Sequence, residues 1–248
     1  MNKKRGKSGE VFSAGWDVSL NHSAAVLLGP GGELVDCAFI AQRVSDAKKG
    51  REGTAVPAFV RNEKDRQQRE ALRLRFVSRW VEKIRRSFEF HDTETIHGVE
   101  DYAFSAVGRS YQIGEVGGLV RLGVLSPRPN GGAGGRLRLH DPLAVKLFAT
   151  GSAKASKEEM IEAVRNLGQD FSKFGAAEED LSDAFVIARM IWTEIQLRAG
   201  RVTLEQLEEG PRRVFLRATK KTPVNILGRE WIHITTNQES EFSDFIGE

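Results

Sequence analysis

Phe12–Leu28, FSAGWDVSLNHSAAVLL, is the stretch whose reading decides the fold. Its apolar runs predict a strand over Phe12–Val18, a turn at Asn21-His22 and a second strand over Ala24–Leu28. The turn GPGG (Gly29–Gly32) then leads into a third strand, Glu33–Ile40, so the chain opens as an antiparallel meander. Asp17 interrupts the first of these strands. Aspartate is depleted in strands because its charge loses hydration there and its side chain competes for backbone hydrogen bonds. Two readings stand at this point. Asp17 either starts a turn with Ser19 and Asn21, or it belongs to a charged site whose other members lie further along the chain.

Outward from the meander, Ser45–Val60 is polar and reads as a loop. Asn62–Phe90 reads as a long helix, because Leu72, Phe76, Val77, Trp80, Val81, Ile84 and Phe88 recur at three- and four-residue spacing. Thr95–Phe104 is the next strand, and Glu100-Asp101 break its apolar run near the C-terminal end, where parallel α/β sheets hold their sites. Gly114–Leu125 reads as a helix whose glycine face suits close packing on a sheet or on another subunit. Ser126–Gly135, SPRPNGGAGG, reads as a flexible spacer. Arg136–His140 is a fifth strand, and Asp141-Pro142 begins a helical turn that reaches Lys146. A second helix starts at Ser156 with Glu159 completing a capping box. Glu178–Ala199 is a strongly periodic helix closed by Gly200. Beyond it, Val214–Ala218 and Trp231–Thr235 read as a small hairpin, and Asn237–Glu248 as an acidic tail.

This order predicts an α/β domain over residues 11–200, with a five-stranded mixed sheet, three antiparallel strands then two parallel, flanked by helices. Residues 1–10 form a basic arm, and residues 201–248 a small C-terminal extension, partly disordered. With 248 residues and 40% hydrophobic content the chain can bury a real core. No apolar run approaches the roughly 20 residues of a membrane span, and no apolar segment follows the basic start as in a secretory signal. Cys37 is the single cysteine, which excludes an internal disulfide and fits a reducing, cytoplasmic setting.

Net charge is only +3, yet it is unevenly spread. Arg43–Phe90 carries fourteen Lys/Arg against seven Asp/Glu, while Asp141–Glu209 carries thirteen acids against eight bases. Such a split suits a protein that grips polyphosphate beside a cluster of carboxylates. Within the acidic half, Asp180 and Asp183 share one face of the first turn of their helix. Asp183 is the last charge before the apolar run Ala184–Ala188. Asp17, Glu100, Asp180 and Asp183 would repel one another if brought together, unless cations lay among them. An all-oxygen set is what Mg²⁺ or Mn²⁺ prefers, and two such ions about 4 Å apart serve phosphodiester hydrolysis. One cysteine and five scattered histidines give no zinc spacing. Neither a nucleophile elbow nor a phosphate-binding Gly-Lys-Ser/Thr loop is present.

The ordered set Gly15-Trp16-Asp17-Val18-Ser19, Val99-Glu100-Asp101-Tyr102-Ala103, Val145-Lys146 with Thr150–Ala153 and Lys157, and Asp180-Leu181-Ser182-Asp183-Ala184 resembles the RuvC-type Holliday junction resolvases of the ribonuclease H-like superfamily, including a phage-type branch. The resemblance spans roughly residues 11–199. It implies a ribonuclease H-like fold in which Asp17, Glu100, Asp180 and Asp183 are the catalytic, metal-binding residues, with two Mg²⁺ per site and Mn²⁺ as a substitute. It implies that Lys146 and Lys157 meet DNA phosphates near the cleavage point and that Tyr102 or Phe104 contacts bases at the crossover. Arg109 and Lys154 are further candidates for DNA contact. The expected protein is a homodimeric endonuclease that resolves four-way junctions and other branched DNA in recombination and repair. An RNA-processing nuclease and a non-catalytic branched-DNA-binding protein are the alternatives. Ser45–Phe90 is larger than a minimal family member needs.

Overall fold

The computed structural model of the chain describes residues 10–19, 22–41, 53–88, 94–101, 110–127, 134–218 and 223–234, the side chains of 110–113 excepted. Six strands form one sheet: β1 (Val11–Asp17), β2 (Ala24–Leu28), β3 (Leu34–Ala41), β4 (Gly53–Ala55), β5 (Glu94–Glu100) and β6 (Arg136–His140), in the order β4-β3-β2-β1-β5-β6. The first three are antiparallel neighbours, and β5 and β6 join in parallel beside β1. That is the predicted mixed sheet of the ribonuclease H-like fold, with one strand more. The addition, β4, lies in the segment read as loop and pairs in parallel with Phe39–Ala41. Three residues are too few to show an alternating pattern, so only the pairing reveals it.

The helices are α1 (Ala58–Arg61), α2 (Arg66–Phe88), α3 (Ser110–Leu125), α4 (Pro142–Thr150), α5 (Lys157–Asn166), α6 (Glu178–Arg198) and α7 (Glu209–Leu216). They divide between the two faces of the sheet. Trp16 points to the α2 and α3 face, where it packs edge-on to Trp80 with centroids 5.9 Å apart and donates to His97 Nδ1 at 3.1 Å. Gly15 points the other way, to α6. A Cβ there would stand 2.0 Å from the carbonyl oxygen of Ala184 and 2.4 Å from the amide nitrogen of Ala188. Gly98 on β5 does the same under Ile187 and Ile191, at 2.7 and 2.8 Å. The two glycines let α6 lie against the backbones of β1 and β5, closer than any side chain permits.

Two further expectations are corrected. Val214 and Phe215 are not strand residues. They are the buried face of α7, where Phe215 meets Phe148 of α4 edge-on at 6.2 Å. Trp231–Ile232 pairs instead with β6, through reciprocal backbone hydrogen bonds between Leu137 and Ile232 of 2.8 and 2.9 Å. Arg138 and Glu194, both buried, form a bidentate ion pair of 2.6 and 3.2 Å beneath this segment. The Arg138 and Arg198 guanidinium groups lie 4.5 and 5.0 Å from the Trp231 ring centroid. Much of the extension is thus anchored to the domain. Residues 1–9 of the basic arm (1–10) and all of the acidic tail Asn237–Glu248 lie outside the described residues. The spacer read at Ser126–Gly135 is described only at its ends, one tied to α2 and the other to α3: Arg85 of α2 donates to the Ser126 carbonyl at 2.6 Å, and Gly135 N to Val124 O of α3 at 2.8 Å.

Candidate metal centre

Strand alternation decides which acids converge. Asp17 follows Gly15 onto the α6 face of β1, and Glu100 follows Gly98 onto the same face of β5. The register pairs Trp16 with Val99, so the two acids are the next step on adjacent strands, about 4.8 Å apart in backbone. Above them α6 begins at Glu178, and its first turns carry Asp180 and Asp183 ahead of Ala184 and Ala188, which the Gly15 approach brings down onto β1. The Asp17 carboxyl lies close enough to those of Asp180 and Glu100 for each to act on the other's ionisation. Asp17 is the last residue of β1 and is buried, while Ser19 makes the hydrogen bonds across the β1–β2 turn. Its hydroxyl accepts from His22 N at 2.9 Å and donates to His22 O at 2.7 Å.

Crowding shows in the acidities. Burial holds the Asp17 carboxyl well above the usual range, and Glu100, Asp183 and Asp180 push it further in the same direction. Glu100 is pushed up to about 7, by burial first and then by Asp183. Asp180 also rises to about 7, through burial and then Glu179 and Asp183, and Asp183 rises to about 6 through burial and Glu179. Two carboxylates joined by a hydrogen bond share a proton, which a cation would replace. Among the described residues no three potential ligands are drawn into a closed ligand set. Four convergent carboxylates with no nitrogen or sulfur donor among them fit a hard divalent cation such as Mg²⁺ or Mn²⁺.

Lys146 and Lys157 flank the cluster. Lys146 on α4 donates to Ala155 O at 2.8 Å, and its charge eases the ionisation of Glu100 and Asp183. Lys157 at the start of α5 pairs with Glu179 and acts on Asp180 and Asp183. Lys154, between the two helices, is exposed. Tyr102, Phe104 and Arg109 lie outside the described residues. Asp101, the neighbour of Glu100, alternates to the other face and binds Arg121 of α3 at 2.7 Å, so it is not part of the cluster.

Three groups escaped the sequence reading. Glu179 raises the pKa of both α6 aspartates. Asp141, the N-cap of α4, does so for Glu100. His22 Nδ1 stands 3.9 Å from Asp180 Oδ2, across the β1–β2 turn. Only the Asp141-Pro142 start of a helix at the end of β6 gave any local signal of these.

No family model and no curated protein matches the chain. Among solved structures it is similar to RuvC of Thermus thermophilus, at 18% identity and a TM-score of 0.47, over 76% of this chain and 96% of that one. It is similar also to T. thermophilus RuvC in complex with a Holliday junction substrate, at 18% identity and a TM-score of 0.49, over 77% of this chain and 96% of that one. The fold class rests on the sheet itself: strand order, strand sense and helices on both faces are those of a ribonuclease H-like domain.

Proposed function

We propose that this protein is a divalent-metal-dependent endonuclease that cuts branched DNA, four-way junctions above all, in recombination and repair. One observation supports the reading: Asp17, Glu100, Asp180 and Asp183, from three separate elements, are buried near one another and act on one another's ionisation, and the charges of Lys146 and Lys157 oppose that effect. An uncompensated cluster of this kind is costly to a fold, and cation binding is the chemistry that offsets it. Asp17, Glu100, Asp180 and Asp183 would hold the divalent ions, which would supply the charge that activates water and steadies the leaving oxygen. Asp17, on which all three other acids act, would be the central ligand of the set. Lys146 and Lys157 hold the phosphates of the strand being cut, and their positive charge keeps the neighbouring acids ionised for metal. The four-way substrate rests on the order of the motifs, which resembles that of the junction resolvases.

The active form is a homodimer, whose two sites would nick symmetry-related strands. α3 is the proposed contact surface. Its Gly123 packs against Val81 of α2 while Leu122 stays 62% exposed. A synthetic four-way junction tests the function. Mg²⁺-dependent nicking should vanish in Asp17→Asn while junction binding persists. Linear duplex and RNA–DNA hybrid, run alongside, should be cut poorly. Full cleavage by Asp17→Asn would sink the assignment.

A further inference from the structure

α1 is only one turn long, and its two large apolar residues behave oppositely. Val60 is buried, whereas Phe59 is 66% exposed, more than any other large apolar side chain among the described residues. Its place in the fold gives this exposure meaning. β1 and β3 are each antiparallel to β2, and β4 is parallel to β3. The chain therefore leaves β4 for α1 at the end of the sheet where Asp17 closes β1. Three strand spacings separate β4 from β1, about 14 Å across the sheet. That is roughly four nucleotide steps at 3.4 Å each.

The ground around Phe59 is basic. Arg61–Arg73 carries five cations, Arg61, Lys64, Arg66, Arg69 and Arg73, against three acids. Each acid is engaged locally. Glu63 accepts from Asp65 N at 3.0 Å, Asp65 accepts from Gln68 N at 2.7 Å, and Glu70 pairs with Arg66 at 3.2 Å. Arg61, Lys64, Arg69 and Arg73 have no ion pair among the described residues. Arg69 is pinned to the α1–α2 corner by a 3.1 Å hydrogen bond to the Glu63 carbonyl. An exposed phenyl ring among unneutralised cations is what a nucleic-acid strand recognises: a ring for a base, cations for its phosphates.

We propose that the α1–α2 corner is a second nucleic-acid contact, at which Phe59 stacks on an unpaired base while Arg61, Lys64 and Arg69 hold the adjoining phosphates. The proposal extends the nuclease reading above, by giving the enzyme a means of preferring DNA with an opened strand. Bases inside a continuous duplex are already stacked on both sides and offer the ring nothing. A strand leaving a branch point does offer a free face.

The test compares the unaltered chain with Phe59→Ala, Phe59→Trp and the double variant Arg61→Ala/Arg69→Ala. Folding of each is checked by circular dichroism. The probes are a four-way junction, a single-stranded flap carrying a fluorescent base analogue, and a blunt duplex, with Ca²⁺ replacing Mg²⁺ so that binding is read without cleavage. Phe59→Ala should weaken flap and junction binding about five- to a hundredfold, leave duplex binding and the salt slope unchanged, and lose the quenching of the base analogue. Phe59→Trp should restore all three. The arginine variant should flatten the slope of log affinity against log salt by roughly 0.7–0.9 per residue. Flap binding by Phe59→Ala within twofold of the unaltered chain overturns the proposal. Mg²⁺-dependent junction cleavage by the unaltered chain separates the two ideas. If cleavage is present and Phe59→Ala binds normally, only this contact fails. If cleavage is absent and Phe59→Ala still loses the flap, the contact stands and the nuclease reading fails.

Discussion

Glu100→Gln removes one charge from the carboxylate cluster and replaces it with a neutral group of the same shape. In the folded chain Glu100 titrates near 7, against an ordinary value of 4.5. Its raised value means that the protonated form is favoured by folding. The corresponding stability is present in full below about pH 4.5 and is lost as the pH rises through 7. At 1.36 kcal/mol for each pH unit, the interval amounts to about 3 kcal/mol at most, since the neighbouring acids share it. Glutamine does not titrate, so the metal-free variant should match the unaltered protein in acid and exceed it above neutrality. For a chain of this length that excess corresponds to roughly 6–12 °C in Tm. The assay is thermal unfolding in a chelator across a pH series, repeated with saturating Mg²⁺. Added Mg²⁺ should raise the Tm of the unaltered protein above pH 7 and barely move that of the variant. A variant no more stable than its parent in chelator above neutrality would refute the claim that these acids repel in the absence of a cation.

Three further outcomes follow from the geometry. Gly15→Ala puts a methyl group 2.0 Å from a backbone oxygen of α6; it should cost at least about 1–3 kcal/mol in urea unfolding and abolish cleavage by lifting Asp180 and Asp183 off β1. Glu194→Ala strands the buried Arg138 charge and should cost about 3–5 kcal/mol by the same measurement. Lys146→Ala removes the charge that eases ionisation of Glu100 and Asp183, so the acid limb of the rate–pH profile at limiting Mg²⁺ should move to higher pH, with a loss of affinity for the junction.

How much of this could be read from residue order depends on whether the signal is local. Asp17 stood out because a charge in an apolar strand breaks a pattern visible within seven residues. Asp180 and Asp183 stood out because the apolar face of their helix begins immediately after them. Asp101 breaks the same apolar run as Glu100, but the two-residue period of a strand sends such neighbours to opposite faces. His22 and Glu179 left no mark, because their proximity to the aspartates arises only when the meander and α6 meet. Val214-Phe215 carried the β-branched and aromatic character of a strand, and packing against Phe148 overrode it. The glycines at 15 and 98 were legible as glycines but not as the contact surface for α6. Only the approach of a helix backbone distinguishes a glycine that must be there from one that merely is.

The bridge between Leu137 and Ile232 has a consequence for assembly. β6 would otherwise end the sheet as an open edge, with a row of amides and carbonyls ready to template a foreign strand. The returning segment covers part of that edge, and the Trp231 ring between two guanidinium groups holds it in place. At the opposite margin β4 offers just three residues, too short a rail for another chain to join. The sheet is thus finite by construction. Among the described residues, then, neither margin of the sheet offers a second copy a long strand edge to extend.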